Sequence, residues 1–230
     1  MAVVGLHHRS GEGPYKTIAL DQAELQAHVT IIKSSIIIAC GNMVSKKELV
    51  FEIKRQAFHL VFGVFLAFFI LYLGRDVSLT LLATGIMLSV YVSRLSKKQR
   101  VPVISWFLET FERKHASPGG GLITACIGGF ISLALFGAFA AFVSILLLAY
   151  VDSFSTVIGK SYGRTKLLGK KTLEGFVGGM IAGFFIASIF LPGHIAAVAA
   201  FVAAVVELLP GDDNISIPPV VGFVLSYIKP

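Results

Sequence analysis

Continuous apolar segments follow one another from residue 57 to the C-terminus, and short polar stretches separate them. A bilayer core about 30 Å thick is crossed by about 20 helical residues. The segments lack the alternation of apolar and polar residues found in membrane β-barrels, so helices are the expected spanning structures. We predict an all-α, polytopic integral membrane protein with about seven transmembrane helices, within a range of six to eight because the last two segments are short. The predicted spans are residues 57–74, 77–92, 121–136, 138–158, 173–191, 195–208 and 217–228.

The composition excludes a water-soluble globule. Of the 230 residues, 55% are hydrophobic and only 14% are charged, which is far from the average of soluble domains. The net charge of +7 would indicate nucleic acid as the partner of a soluble protein, but in a membrane protein it indicates basic cytoplasmic loops. We therefore expect the lipid bilayer and no nucleic acid among the partners, and the composition leaves the oligomeric state open. The spacing of Cys40 and Cys126 supports neither a disulfide framework nor a zinc site.

The basic residues are distributed unevenly between the two sides of the predicted topology. In a seven-span arrangement fifteen of the twenty lysines and arginines fall on one side, and only Arg75 and Lys229 fall on the other. An excess of basic residues marks the cytoplasmic side of a membrane protein, so this side is predicted to face the cytoplasm. The fifteen residues are Lys46, Lys47, Lys54, Arg55, Arg94, Lys97, Lys98, Arg100, Arg113, Lys114, Lys160, Arg164, Lys166, Lys170 and Lys171.

Residues 1–42 differ from the rest of the chain. Asp21, Glu24, His28 and Lys33 interrupt their apolar stretch, which is therefore too polar to span a membrane, and the pattern of a secretory signal is missing. We predict that residues 1–42 form a peripheral or poorly ordered extension and that residues 43–230 form a membrane-embedded domain. A second interpretation takes Met43 as the native start.

Acidic residues recur at the ends of the predicted spans, all on the basic side. Asp152 lies near the end of the fourth span, Glu174 opens the fifth and Glu207 closes the sixth, while Asp212 and Asp213 follow in the next loop. Each acidic group in an apolar helix costs roughly 2.5 to 3.5 kcal/mol on insertion, so their placement needs a reason. The topology predicts that these carboxylates meet the cations at one face.

The first span begins with a polar stripe of Glu52, Arg55, Gln56 and His59. Their spacing of i, i+3, i+4 and i+7 places them on one side of a helix, so the stripe is expected to face protein or water. The alternative is an interfacial stripe that anchors the end of the helix, with Glu52 and Arg55 as an ordinary surface pair.

Residues 159–172 are predicted to form a loop with five cations and three glycines. Glycines allow the backbone to approach a ligand closely, and cations neutralise phosphates, as binding of a polyphosphate requires. The spacing is not that of a Walker A loop. The alternative is a basic loop that binds anionic lipid headgroups, but the neighbouring carboxylates favour Mg²⁺ with a nucleotide.

In the fifth span, Gly175, Gly179, Gly183 and Ala187 recur at four-residue spacing. Small residues at this spacing let two membrane helices pack closely. We predict a structural packing face here.

Four motifs, taken in order, resemble the polyprenol kinase family, which includes dolichol kinase, phytol kinase and the CTP-dependent diacylglycerol kinase. The resemblance covers the chain from about Val44 to the C-terminus, and it implies an integral membrane enzyme that moves the γ-phosphoryl group of CTP, or of another nucleotide, to the hydroxyl of a lipid alcohol. The motifs are Glu-Ile-Lys-Arg-Gln-Ala-Phe-His at 52–59, Asp-Ser-Phe-Ser-Thr-Val-Ile-Gly-Lys-Ser-Tyr-Gly at 152–163, Lys-Thr-Leu-Glu-Gly at 171–175, and Glu207 with Asp213, Asn214 and Pro218.

Residues 152–175 are also similar to the phosphatidate cytidylyltransferases. The C-terminal signature of those enzymes, a His-Gly-Gly followed by Asp-Arg and a further Asp, is absent here. This departure favours the kinase and leaves CDP-lipid synthesis as the alternative. A transporter or lipid-binding scaffold is a further alternative, although transporters usually place their polar sites near the bilayer midplane.

Phosphoryl transfer requires positioning and neutralisation of charge, and the polar residues are assigned accordingly. Asp152, together with Asp213 or Asp212 and with Glu207, is expected to hold Mg²⁺, and Asn214 is expected to be a neutral ligand of the metal or of the ribose. The expected phosphate-binding cations are Lys160, Arg164, Lys170 and Lys171.

The remaining candidates lie at the starts of the first and fifth spans. Glu52, Arg55 and His59 are expected to contribute from the first span, with His59 or a carboxylate accepting the proton of the lipid hydroxyl. Glu174 is expected to orient a lysine or to help hold a metal; the alternative is a charge that stabilises its helix N-terminus.

Overall fold

Seven helices and one short hairpin make up the part of the chain that the computed structural model describes, residues 46–98 and 119–228. The predicted extension 1–42 and its boundary at Met43 lie outside these residues. The elements are α1 (Lys46–Leu73), α2 (Arg75–Lys98), α3 (Gly120–Phe136), α4 (Ala138–Tyr162), β1 (Lys166–Leu168), β2 (Lys171–Thr172), α5 (Leu173–Ser188), α6 (Gly193–Leu208) and α7 (Asp213–Tyr227).

Each helix covers one of the apolar segments predicted from the sequence, which confirms the all-helical fold. Among the described residues, three helices are long and apolar enough to cross a membrane, namely Lys47–Leu73, Arg75–Ser96 and Ala138–Tyr162. Three more are apolar but shorter, namely Gly120–Phe136, Leu173–Ser188 and Gly193–Leu208. These helices indicate a membrane protein; the count of seven spans stays a prediction.

The predicted loop 159–172 is wrong in part. Helix α4 continues to Tyr162, four residues beyond the predicted end, and it stops at Gly163, whose N–H donates to the carbonyl of Gly159 at 3.0 Å. The next residues form an antiparallel hairpin, in which Lys166 pairs with Thr172. Its turn contains Gly169 with a φ of +58°, a value that glycine adopts without strain. Lys160 therefore lies on a helix, and Lys171 lies on a strand.

Helix α4 is the central element of the bundle. It contacts α1, α3, α5, α6 and α7. Of its most apolar stretch of 18 residues, 72% is buried, whereas 11% of the corresponding stretch of α2 is buried. A helix that is apolar on every side is expected to be buried. The polar residues Asp152, Ser153 and Ser155 are buried near its C-terminal end, and this end is where the candidate site lies.

The small-residue face of α5 packs directly on α4, as predicted. Gly175, Gly179 and Gly183 are buried. A Cβ atom at Gly179 would lie 2.8 Å from the carbonyl oxygen of Val151 and 2.9 Å from Cβ of Ser155. Because the two backbones touch, the start of α5 and the strand β2 before it are held beside the polar end of α4.

Single glycines reverse the chain twice. Gly74 joins α1 to α2, and Gly137 joins α3 to α4, with φ values of +76° and +85°. Residues 189–192 and 209–212 make the two later reversals. As a result the beginnings of α1, α3, α5 and α7 meet the ends of α4 and α6 around one cavity.

Gly128 of α3 lies against the first turn of α7. A Cβ atom there would collide with the carbonyl oxygen of Asn214 and lie 3.2 Å from Cγ of Pro218. Because Pro218 has no N–H, it cannot bond that carbonyl within the helix. We expect Gly128→Ala to lower the free energy of unfolding by about 1 to 3 kcal/mol through overpacking, measured by thermal or denaturant unfolding in detergent.

The control for this variant is Gly85→Ala in α2. A Cβ atom at Gly85 meets nothing within 4 Å, so the change is expected to be neutral or to stabilise the helix by up to about 1 kcal/mol. If the two variants were equally stable, the packing of α3 against α7 would not require a glycine at position 128.

Candidate active site

Three carboxylates from three helices form a cluster at the polar end of α4. Asp152 of α4, Glu207 of α6 and Asp213 of α7 each place a carboxylate oxygen within 4.8 Å of the others. Asp152 and Glu207 are buried, and Asp213 is half-buried. Carboxylate oxygens brought together in this way could hold a hard divalent cation such as Ca²⁺ or Mg²⁺.

The fourth predicted metal ligand, Asp212, has a different position. It lines the cavity, but it caps α7, and its Oδ1 accepts a hydrogen bond from the backbone N–H of Asn214 at 3.1 Å. Its carboxylate is outside the cluster of three. Asp212 therefore fixes the start of the helix that carries Asp213.

Lys171 of β2 is the cation in contact with this cluster. Its Nζ donates to Oε1 of Glu207 and lies 3.6 Å from Oδ2 of Asp213. Burial lowers the pKa of Lys171, but the hydrogen bond to Glu207 and the charges of Glu207 and Asp213 outweigh burial, so the pKa is raised overall. Ser155 Oγ also donates to Oε1 of Glu207, at 2.7 Å, so Glu207 is held by two donors.

Glu52 of α1 holds two further cations. Its Oε1 accepts from Nε of Arg55 at 2.9 Å, and its Oε2 accepts from Nζ of Lys160 at 2.7 Å. Glu52 is only 3% exposed, so the interpretation as a surface pair is wrong. Arg55 and Lys160 line the cavity, whereas Glu52 lies behind them and positions both.

The rest of the polar stripe on α1 also faces α4. Gln56 is buried, and its backbone carbonyl accepts from Ser153 Oγ at 3.2 Å. Nε2 of His59 lies 3.6 Å from Oδ2 of Asp152, is buried and makes no hydrogen bond. The predicted protein-facing stripe is therefore confirmed, and it brings an imidazole nitrogen beside the carboxylate cluster.

Asn214 supplies a second buried polar atom without a hydrogen bond at the cavity; Gln56 Nε2 and Ser78 Oγ are two more among the described residues, outside the cavity lining. Nδ2 of Asn214 donates to Thr124 Oγ1 at 3.3 Å, whereas its Oδ1 is buried and makes no hydrogen bond. Asn214 lines the same cavity as His59. Nε2 of His59 and Oδ1 of Asn214 thus belong to residues that line one cavity, where a bound group could supply the missing hydrogen bonds.

The cavity around these groups has a volume of about 1050 Å³, which is at the upper end of the range of small-molecule sites. One part of its lining is cationic and another is apolar. The cations that line it are Arg55, Lys160, Lys170 and Lys171. The large apolar side chains that line it are Phe58, Phe62, Leu122 and Phe176.

Besides Glu52, two more predicted site residues are not part of this lining. Arg164 is exposed on the segment before the hairpin. Glu174 accepts hydrogen bonds from the backbone N–H of Thr165, at 3.1 and 3.3 Å. Glu174 thus fixes the segment that leads into β1, and the structure brings neither residue to the cluster.

The sequence analysis missed several residues that support the cluster. Ser155 bonds Glu207, and Thr156 Oγ1 donates to Oδ1 of Asp152 at 3.3 Å. Their positions three and four residues after Asp152, on the same side of a helix, were the available signal. The aromatic lining had no comparable signal, because phenylalanine is common throughout the apolar segments.

Comparison with known proteins finds an archaeal relative of this chain. The chain is 33% identical over 181 residues to the uncharacterized protein MJ1137 of Methanocaldococcus jannaschii, and the match covers 76% of this chain and 93% of the relative. No protein-family model and no solved structure matches the chain.

Proposed function

We propose that this chain, which belongs to the same family as MJ1137, is a multi-pass membrane enzyme that transfers the γ-phosphoryl group of CTP, or of another nucleotide, to the hydroxyl of a lipid alcohol. The observation that carries the proposal is the cluster of Asp152, Glu207 and Asp213 beside Lys171, in a cavity with both cationic and aromatic lining. Anionic phosphates, a divalent cation and an apolar chain each find suitable partners there.

The carboxylate cluster is the proposed Mg²⁺ site. Asp152, Glu207 and Asp213 offer hard oxygen donors, and the unpartnered Oδ1 of Asn214 is a fourth oxygen at the same cavity. When bound there, the metal would neutralise charge on the phosphate oxygens of the nucleotide.

The cations that line the cavity are the proposed phosphate-binding groups. Glu52 holds Arg55 and Lys160 in fixed positions, so little side-chain freedom remains to be lost when a phosphate binds. Lys170 and Lys171 approach from the hairpin. Groups from α1, α4 and β2 therefore surround the place where the nucleotide phosphates would lie.

In the proposed reaction the hydroxyl oxygen of the lipid attacks the γ-phosphorus. The bond from that phosphorus to the β–γ bridging oxygen breaks, and CDP leaves with the electron pair. Nε2 of His59 is buried and makes no hydrogen bond, so it is the group assigned to accept the hydroxyl proton. Asp152, whose Oδ2 is 3.6 Å away, would stabilise the imidazolium that forms.

The topology proposed for this enzyme places all seven helices across the bilayer, with the cavity on the cytoplasmic side. The support is the fifteen cations that the sequence assigns to that side. A nucleotide would then reach the site from the cytoplasm.

The test uses purified protein in detergent with Mg²⁺ and CTP labelled at either the γ or the α phosphate. The lipid substrates are a polyprenol, diacylglycerol and phosphatidate. We expect label from the γ position to reach an alcohol. Transfer from the α position to phosphatidate, with release of pyrophosphate, would establish the cytidylyltransferase alternative, which the similarity of residues 152–175 favours. Failure of both labels to reach lipid would refute both enzymes.

Two variants of neighbouring cations provide a matched control in the same assay. Lys170→Met removes a cation that lines the cavity, and it is expected to raise the KM for the nucleotide about tenfold, since a bond to a charged group contributes about 1.5 kcal/mol or more. Arg164→Met removes an exposed cation outside the lining and is expected to change that KM less than about twofold. Equal effects would indicate general attraction of anions rather than a phosphate site.

A further inference from the structure

A stripe of phenylalanines on α1 connects the cavity to the outer surface of the bundle. Phe58, Phe62 and Phe65 follow one another at spacings of four and three residues, which places them on one side of the helix. The rings of Phe58 and Phe62 stack with centroids 6.3 Å apart, and both line the cavity. Phe65 is 64% exposed. The stripe therefore begins at the cavity and ends on the apolar surface that a bilayer would cover.

Helix α3 borders the cavity beside α1. Gly121 and Leu122, in its first turn, line the cavity. Deeper in the bundle α1 and α3 approach each other, where a Cβ atom at Gly129 would lie 3.9 Å from Cδ2 of Leu66. Seven residues separate Leu122 from Gly129, which is about 10 Å along a helix. Leu122 on α3 and Phe62 on α1 therefore line the same cavity, and the two helices approach each other about 10 Å further along, at Gly129 and Leu66.

The polar end of the stripe suits a hydroxyl group. His59 follows Phe58 in the chain, and its Nε2, which makes no hydrogen bond, lies 3.6 Å from Oδ2 of Asp152. A molecule that hydrogen-bonds there through a hydroxyl, with an apolar chain attached, would have its chain directed along Phe62 toward Phe65.

We infer that the hydrocarbon chain of the lipid alcohol binds along Phe58, Phe62 and Phe65 and enters the cavity from the bilayer between α1 and α3. This inference rests on the proposed function for the identity of the lipid as an alcohol acceptor. It assigns the bilayer side of the site to α1 and α3, whereas the nucleotide approaches along α4 and the hairpin. The two substrates then meet at His59 and Asp152.

The first experiment places a photoreactive benzoylphenylalanine at position 65 or, as control, at position 185. Both phenylalanines are exposed to a similar degree, 64% and 67%, but Phe185 lies on α5 and is outside the cavity lining. The probe is tritiated geranylgeraniol without nucleotide. We expect excess unlabelled alcohol to suppress labelling at position 65. It is expected to have no effect on labelling at position 185. The same response at both positions would overturn the inference.

The second experiment measures steady-state kinetics of Phe62→Ala and Phe185→Ala, with Mg²⁺-dependent binding of CTP as the check on folding. Phe62→Ala is expected to raise the KM for the lipid alcohol about tenfold and to leave the KM for CTP unchanged; Phe185→Ala is expected to change neither. If phosphorylation proceeds and Phe62→Ala matches the control, the inference is wrong while the proposed function stands. If excess alcohol suppresses labelling at position 65 but no phosphorylation is detected, the binding site for the hydrocarbon chain is supported and the proposed kinase activity is refuted.

Discussion

Asp152→Asn is expected to lower the rate of phosphoryl transfer by about 1000-fold or more, because loss of a metal ligand removes charge stabilisation from the transition state. Asp152 lies within the carboxylate cluster and beside His59, so the variant changes both the metal site and the surroundings of the proposed base. Asparagine has nearly the same shape as aspartate and can still accept from Thr156. We therefore expect the variant to insert and fold normally, as judged by its circular dichroism and melting temperature.

Asp212→Asn is the matched control for this change. Asp212 lines the same cavity, but its carboxylate caps α7, and asparagine caps helices about as well as aspartate. We expect its turnover to stay within about fivefold of the unmodified protein and its Mg²⁺ requirement to be unchanged. Normal turnover in Asp152→Asn, or equal losses in the two variants, would remove Asp152 from the proposed metal site.

Lys171→Met is expected to lower the free energy of unfolding in metal-free buffer by about 2 kcal/mol. Glu207 is only 2% exposed, and removing its cation leaves a buried charge without compensation, which costs about 3 to 5 kcal/mol in a fully buried pair. The cost is smaller here because the Lys171 side chain is 35% exposed. Added Mg²⁺ is expected to recover part of the loss, since the metal stabilises the folded state that binds it. Denaturant unfolding with and without Mg²⁺ measures both effects.

Lys166→Met controls for the loss of a positive charge from the hairpin. Lys166 is exposed on β1, so its removal is expected to change stability by less than about 0.5 kcal/mol. The double variant Lys171→Met with Glu207→Leu removes both charges and is expected to be more stable than Lys171→Met alone. If the double variant were the less stable, the buried charge of Glu207 would not explain the loss.

The helices were predictable because their apolar runs are long and their separators are short. The end of α4 was not, since Lys160 and Ser161 are polar residues that a helix tolerates as well as a loop does. The helix stops at Gly163, close to the point where Gly159 contacts α5, and the structure is needed to see both features. Single-residue reversals at Gly74 and Gly137 likewise depend on local conformation, which hydropathy does not describe.

The sequence predicts on which side of the helix bundle the candidate site lies, but it does not predict the distances between the site residues. Topology alone placed Asp152, Glu207 and Asp213 on one side; their mutual distances depend on how α6 and α7 pack around α4. The same limit applies to Glu52, whose pairing with Arg55 follows from helical spacing, whereas its bond to Lys160 crosses 108 residues. The hairpin carries Lys170 to the cavity, whereas Arg164 lies before the hairpin and outside the cavity lining. Hydropathy does not distinguish these two cations.

During biosynthesis the ribosome completes Lys171 before Glu207, since the lysine lies 36 residues earlier in the chain. When α6 is completed, the cation that binds its one carboxylate has therefore already been synthesised, in β2. Asp213 and Asn214 come last, with α7. A chain that terminates prematurely after α6 would contain the aromatic stripe and the proposed phosphate-binding cations but only two carboxylates of the cluster. If the proposed function holds, the enzyme would become active only once α7 is complete, and products truncated before α7 would be inactive.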